Sequence, residues 1–299
     1  MVPWKHGRNA CRAAALSVLC LMAAGAGAQE ADTLRGEGPN KGRAWLVAGG
    51  TAASMGVSLV GLDQAWYQGH PRSSFHFFDD GAEWLQMDKL GHAHSSYQLG
   101  RAGHAAFRWA GFSDRTSLWL GGSVGLIYLT GIEYLDGLSS EYGFSGWDMA
   151  ANAAGTALFI GQQLGWGEQR VMLKWSAHLT DHAAQRPDVL GSTFAERLLK
   201  DYNGTTVWLS ANPNAFGWKS LPPWLNISAG MGAEGMIHAQ GDPGAYRQYY
   251  LAPDIAFSRI PTRSKFMRTF LFMLDALKVP APTVEFKGNG GVRGHWLYF

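Results

Sequence analysis

Charge is scarce in this 299-residue chain: Asp, Glu, Lys and Arg make up 16% of it, against about a quarter in ordinary soluble domains. Cysteine is scarcer still, with Cys11 and Cys20 the only two, both within the first 28 residues. Those residues read as a secretory leader. Lys5, Arg8 and Arg12 form the basic region, AAALSVLCLMAA the short apolar core, and Ala26-Gly27-Ala28 a cleavage site before Gln29. Leu19 stands where a lipidated Cys20 would need a small residue, which argues against lipidation. Removing the leader leaves no disulfide, thiolate ligand or cysteine nucleophile. It also removes three of the 25 basic residues and none of the 23 acids, for a mature net charge of −1. The pI of about 8.5 is thus no argument for nucleic acid.

Familiar catalytic signatures are missing or misplaced. There is no H-E-x-x-H, nor the paired Arg and His motifs of membrane lipid phosphatases. Gly121 to Gly125 satisfies G-x-S-x-G but lies inside an apolar helix, without the strand–turn–helix context of hydrolases, and reads as a packing motif. Gly230 to Gly235 satisfies G-x-G-x-x-G, yet runs into a GDPG turn where a helix should begin.

Aromatic residues and glycine are plentiful, with 39 Gly and 13 Trp. That suits either a membrane interface or a large aromatic core. Residues 29–43 read as a polar linker. The first helix is expected from Ala44 to Tyr67, and AWLVAGGTAASMGVSLVGL within it carries no charge. Further helices are expected at 81–110 behind Asp80-x-x-Glu83, at 115–136, and at 146–165 behind Ser145-x-x-Asp148. After Gly167 the texture becomes alternating: RVMLKWSAH, TTVWLS, WLNISAGMGA, YYLAPDIAFS, TVEFK and HWLYF read as strands. Helical pieces interrupt near 193–200 and 264–278. The predicted class is α+β: an apolar four-helix bundle over 44–166, then a β-rich half over 167–299 with an inserted helix, packed on the bundle.

Polar residues enter the apolar half in three places. Asp88 and His92 share a helix face, and Asp148 and Asn152 repeat the spacing. Glu133 closes a long uncharged run. Isolated polar groups in apolar surroundings are costly, so convergence into one cluster is expected. The competing reading is structural, since Ser145-Gly146-Trp147-Asp148 is also a capping box.

MDKLGHAHSSYQ, GIEYLDG and FSGWDMAANAAG resemble the YfiM-like family of predicted bacterial envelope proteins. More distantly they resemble the VanZ-like pattern of a DK-xx-H helix, a Glu helix and a D-xxx-N-xx-G helix. The nearer resemblance continues through LKDYNGTTVWLSANP and implies an exported protein of the periplasm or outer membrane.

Asp88, His92, Glu133, Asp148 and Asn152 are the candidate catalytic cluster. In an enzyme, His92 with Asp88 or Glu133 would serve as an acid–base pair. Alternatively Asp88, Glu133 and Asp148 would hold a divalent cation such as Mg²⁺ or Ca²⁺. Lys89, for a phosphate, and Tyr97 are the candidate substrate-binding residues. The primary expectation is non-enzymatic: a membrane-associated envelope protein of structural or assembly role, its polar cluster locking the bundle. The alternative is an envelope enzyme acting on a lipid-linked or phosphate-bearing substrate. Expected partners are a membrane or envelope lipid, and not nucleic acid. GHWLYF, with Gly294, Leu297 and Phe299, is similar to the terminal strand signal of outer-membrane barrels, and adds outer-membrane assembly machinery to them.

Overall fold

The computed structural model describes residues 38–66 and 71–299. The leader, its cleavage site and residues 29–37 of the linker lie outside the described residues. Among the described residues there are seven helices, counting Asp114–Asp136 as one, together with two sheets. In chain order they run α1 (Lys41–Trp66), β1 (Phe77–Phe78), α2 (Met87–Trp109), α3 (Asp114–Asp136), β2 (Phe144–Ser145), α4 (Gly146–Trp166) and β3 (Val171–Ala177). Then follow α5 (Pro187–Leu190), α6 (Phe194–Lys200), β4 (Thr205–Ala211), β5 (Leu225–Glu234), β6 (Tyr246–Ile255), α7 (Lys265–Leu274), β7 (Ala281–Lys287) and β8 (Val292–Tyr298).

The chain forms two compact units. One holds the described residues up to Asp80 with Ser95–Gly165, the other Gly81–His94 with Trp166–Phe299. Helix α2 therefore gives its first residues to the second unit and the rest to the first.

The first unit overturns the four-helix bundle. A bundle requires every helix to bury its apolar stripe, and α1 does not: only 11% of its apolar window is buried. Trp45, Leu46, Val57 and Val60 all face outward. Its start packs Val47 against Ala106, Phe107 and Ala110, and farther along Ser58 is buried and hydrogen-bonded to Tyr128. Among the described residues α1 and α3 are long and apolar enough to cross a membrane. Helix α3 is itself irregular, winding as a π-helix over Ser117–Gly121. There the chains approach closely. A Cβ on Gly121 would fall 2.7 Å from backbone atoms of Gly103 and His104, and one on Gly125 would fall 2.3 Å from the Ser96 carbonyl oxygen. The G-x-S-x-G string is thus the small-residue face on which α2 packs.

In the second unit the six expected strands form one antiparallel sheet in the order β3-β4-β5-β6-β7-β8. Helix α6 begins with a complete capping box, Thr193 with Glu196. Met87, Ala233 and Met236 form a fully buried cluster, tying Gly81–His94 to β5.

Candidate functional site

In the second unit the expected helix start at residue 81 is replaced by a left-handed turn. Trp84, Leu85 and Gln86 have φ of 49°, 50° and 66°, a conformation costing L-residues roughly 1–2 kcal/mol each. The surroundings hold it in place. The Trp84 N–H donates to the Ala239 carbonyl at 2.8 Å, and its ring packs edge-on against Tyr202 with centroids 5.7 Å apart. Gln86 donates to the Gly81 carbonyl at 2.8 Å and accepts from Arg247. The next residue, Met87, is fully buried.

This turn delivers Asp88, Lys89 and His92 on the first turns of α2. Asp88 accepts from the Tyr202 hydroxyl at 2.7 Å and from Lys89 Nζ at 2.9 Å, and His92 Nε2 lies 3.9 Å away. Burial alone would raise the Asp88 pKa. The charges of His92 and Lys89 and the Tyr202 hydrogen bond outweigh it and hold the carboxyl below its ordinary 3.8. A depressed folded pKa stabilises the protein above the unfolded carboxylate range and ceases to do so as pH falls through the folded value. Tyr202→Phe is therefore expected to raise the Asp88 pKa and cost about 1–3 kcal/mol at neutral pH, with the deficit shrinking in acid. Denaturant titrations at several pH values check this, and an equal deficit at every pH would refute it.

The first unit holds Glu133, Asp148, Asn152 and Tyr97. Ser145, the residue before α4, links the first two. The Ser145 N–H donates to Glu133 Oε2 at 3.1 Å. Its hydroxyl donates to Asp80 Oδ1 at 2.5 Å and accepts from the Asp148 N–H at 3.0 Å. Glu133, Asp80, Ser145, Asp148 and Asn152 are all buried, and the short parallel bridge of β1 with β2 pairs Phe78 with Ser145. The S-x-x-D motif does cap α4, and Glu133 anchors the same corner. Tyr97 is fully buried, its ring edge-on to Phe159 at 6.1 Å.

The structure therefore groups Asp88, Lys89 and His92 within the second unit, and joins Glu133 to Asp148 through Ser145 within the first. Sequence reasoning passed over Tyr202, Asp80 and the linking role of Ser145. Tyr202 sits 114 residues from its partner, and no periodic pattern links positions so distant. The capping box marked Ser145, but not the two acids that meet it. Chemically, the Asp88–His92 pair offers acid–base groups with a neighbouring cation, while Ser145 bonds the carboxylates of Asp80 and Glu133 and the Asp148 N–H at the start of α4.

No curated protein and no solved structure matches this chain. Residues 76–160 match the model of a family described as predicted periplasmic lipoprotein (DUF2279), a description that fits an exported protein of the periplasm or cell envelope.

Proposed function

We propose that this protein has a structural or assembly role in the cell envelope, that its sheet lies against membrane lipid, and that its buried polar residues lock its elements. The observation carrying this reading is that β5 to β8, with Leu209 of β4, turn apolar side chains outward, although Leu173 and Val207 on the same face are buried. Residues opposite one another across strands share a face. One row runs Leu209, Ala229, Leu251, Val284 and the next Met231, Tyr249, Phe286, Val292. All but the half-buried Met231 are exposed. The opposite face buries Ser210, Asn226, Ser228, Gln248, Asp254, Thr283 and Glu285 around an aromatic cluster of Trp208 and Tyr250. Water-soluble sheets reverse this arrangement, whereas sheets in lipid adopt it. A continuous apolar patch across several strands marks an interaction surface. Trp296, 88% exposed, with Leu297 and Phe299 extends it along β8 and beyond, which supports the terminal segment as a membrane address. The resemblance to YfiM-like envelope proteins agrees with this assignment.

Tyr249→Asp with Leu251→Asp tests it. Charges on the outer face should cut flotation with phospholipid vesicles at least tenfold and leave circular dichroism unchanged; undiminished flotation would sink the proposal. A second reading, an envelope enzyme using Asp88 and His92, draws support from the strained turn before α2, because such strain clusters at functional sites. His92→Gln would then abolish function in cells while the protein stays folded, and retained function would refute this reading.

A further inference from the structure

A cavity of about 330 Å³ opens on the polar face of the sheet, large enough for a small ligand. It uses none of the residues discussed as candidate catalytic groups. Glu234, Tyr250, Glu285, His295 and Tyr298 line it from β5, β6, β7 and β8.

A bulge builds part of this wall. His295 and Tyr298 are three apart and would face opposite sides of a regular strand. The register slips between Ala281 and Thr283, which stand opposite Tyr298 and His295. Two residues of β7 thus match three of β8, and both side chains reach the cavity. Trp296 and Leu297 between them are left exposed. Bulges re-aim side chains in this way beside functional sites.

The carboxylates are held in place. Gln248 Nε2 donates to Glu285 Oε1 at 2.9 Å and to Glu234 Oε2 at 3.0 Å. Glu285 Oε2 lies 2.7 Å from His295 Nε2, and Glu234 Oε2 accepts from the Tyr246 hydroxyl at 2.7 Å. These bonds leave Glu234 Oε1 available. Stacked Tyr250 and Tyr298, with centroids 4.4 Å apart, form an aromatic wall.

Positive charge borders the same space. Lys287 and Arg293 also line the cavity, and Arg293 stands opposite Glu285 in the β7–β8 register. A simple anion meets the carboxylates of Asp181, Glu234 and Glu285 here, and a simple cation meets an ammonium and a guanidinium. A ligand carrying both charges satisfies both sets. We infer that this cavity binds a small zwitterion, an ammonium joined to a phosphate, with Glu234 taking the ammonium and Arg293 and Lys287 the phosphate. The chemistry is that of a free phosphoethanolamine-type solute or of the corresponding lipid headgroup.

Calorimetric titration of the full chain with glycerophosphoethanolamine, glycerol 3-phosphate and ethanolamine tests this. The zwitterion should bind at least about tenfold more tightly than either half-ligand, through charge-assisted hydrogen bonds at both ends. Glu234→Gln should reduce its affinity to that of glycerol 3-phosphate, and Arg293→Ala, which leaves Lys287 in place, should weaken it several-fold toward that of ethanolamine. Arg293 is exposed, so its variant remains informative even if Glu234→Gln does not fold. Competition by micellar phosphatidylethanolamine assigns the site to a headgroup, and lack of competition assigns it to a free solute. Equal affinity for all three ligands, no binding, or a zwitterion affinity unmoved by Arg293→Ala overturns the inference. The Tyr249→Asp, Leu251→Asp protein should still bind the soluble zwitterion, which separates this result from the membrane proposal.

Discussion

Lys174→Met is expected to destabilise the protein by about 3–5 kcal/mol, because it removes the buried ammonium nearest Asp254 and Asp275 and leaves Asp254 only the more distant Lys278, at 3.8 Å. Lys174 on β3 is fully buried. Its ammonium lies 3.0 Å from Asp254 Oδ2 and 3.7 Å from Asp275 Oδ1, and donates to the Ile255 carbonyl at 2.6 Å. The acids have further structural duties. Asp254 accepts from the Ser210 hydroxyl at 2.6 Å, and Asp275 from the Phe257 and Ser258 N–H groups at 2.6 and 2.9 Å. One methionine therefore disturbs β3, β4, β6 and the end of α7 together. Replacing Lys174 and Asp254 together by apolar residues should cost less than the sum of the single changes, since their mutual contact is lost only once, although Asp275 and Lys278 each lose a partner. Equilibrium denaturation of the three variants measures this. A loss below about 1 kcal/mol for Lys174→Met would show the ammonium to be dispensable.

Gly125→Val should be comparably damaging. A Cβ there falls 2.3 Å from the Ser96 carbonyl oxygen and 2.8 Å from its Cα, so α2 and α3 would have to separate, and overpacking of this kind costs about 1–3 kcal/mol or more. Separation would also disturb the Ser96–Thr156 hydroxyl pair, 2.8 Å long, that ties α2 to α4. Gly161 on α4 is the control, because a methyl group added there would have nothing within 4 Å of it. Gly161→Ala should stabilise by roughly 0.5–1 kcal/mol through helix propensity alone. Thermal unfolding distinguishes the two. If both glycines tolerate substitution equally, close helix approach is not what Gly125 provides.

The two variants show why parts of this fold were legible and parts were not. Gly125 lay in a string of small residues whose meaning depended on context, and its apolar setting pointed to packing. Lys174 lay in RVMLKWSAH, an alternating strand in which a lysine would ordinarily face water. Nothing local shows that it faces Asp254, 80 residues onward.

Period-two alternation and turn residues located all six strands of the large sheet, because backbone geometry alone sends alternate side chains to opposite faces. Capping chemistry is equally local, and it correctly marked Ser145 before α4 and Thr193 before α6. Alternation does not say which face meets the interior. Only the folded sheet shows Leu251 and Phe286 outside with Glu285 and Asp254 inside. The same ambiguity produced the four-helix bundle: a long uncharged run such as α1 looks alike whether it is buried or exposed. Local chemistry thus determined the long helices and the six strands of the large sheet, and not the short β1, β2 and α5. Long-range pairing decided the remainder: the left-handed turn before Asp88, the Tyr202 contact and the bulge that aims His295 and Tyr298. Each of these depends on partners whose sequence separation carries no periodic trace.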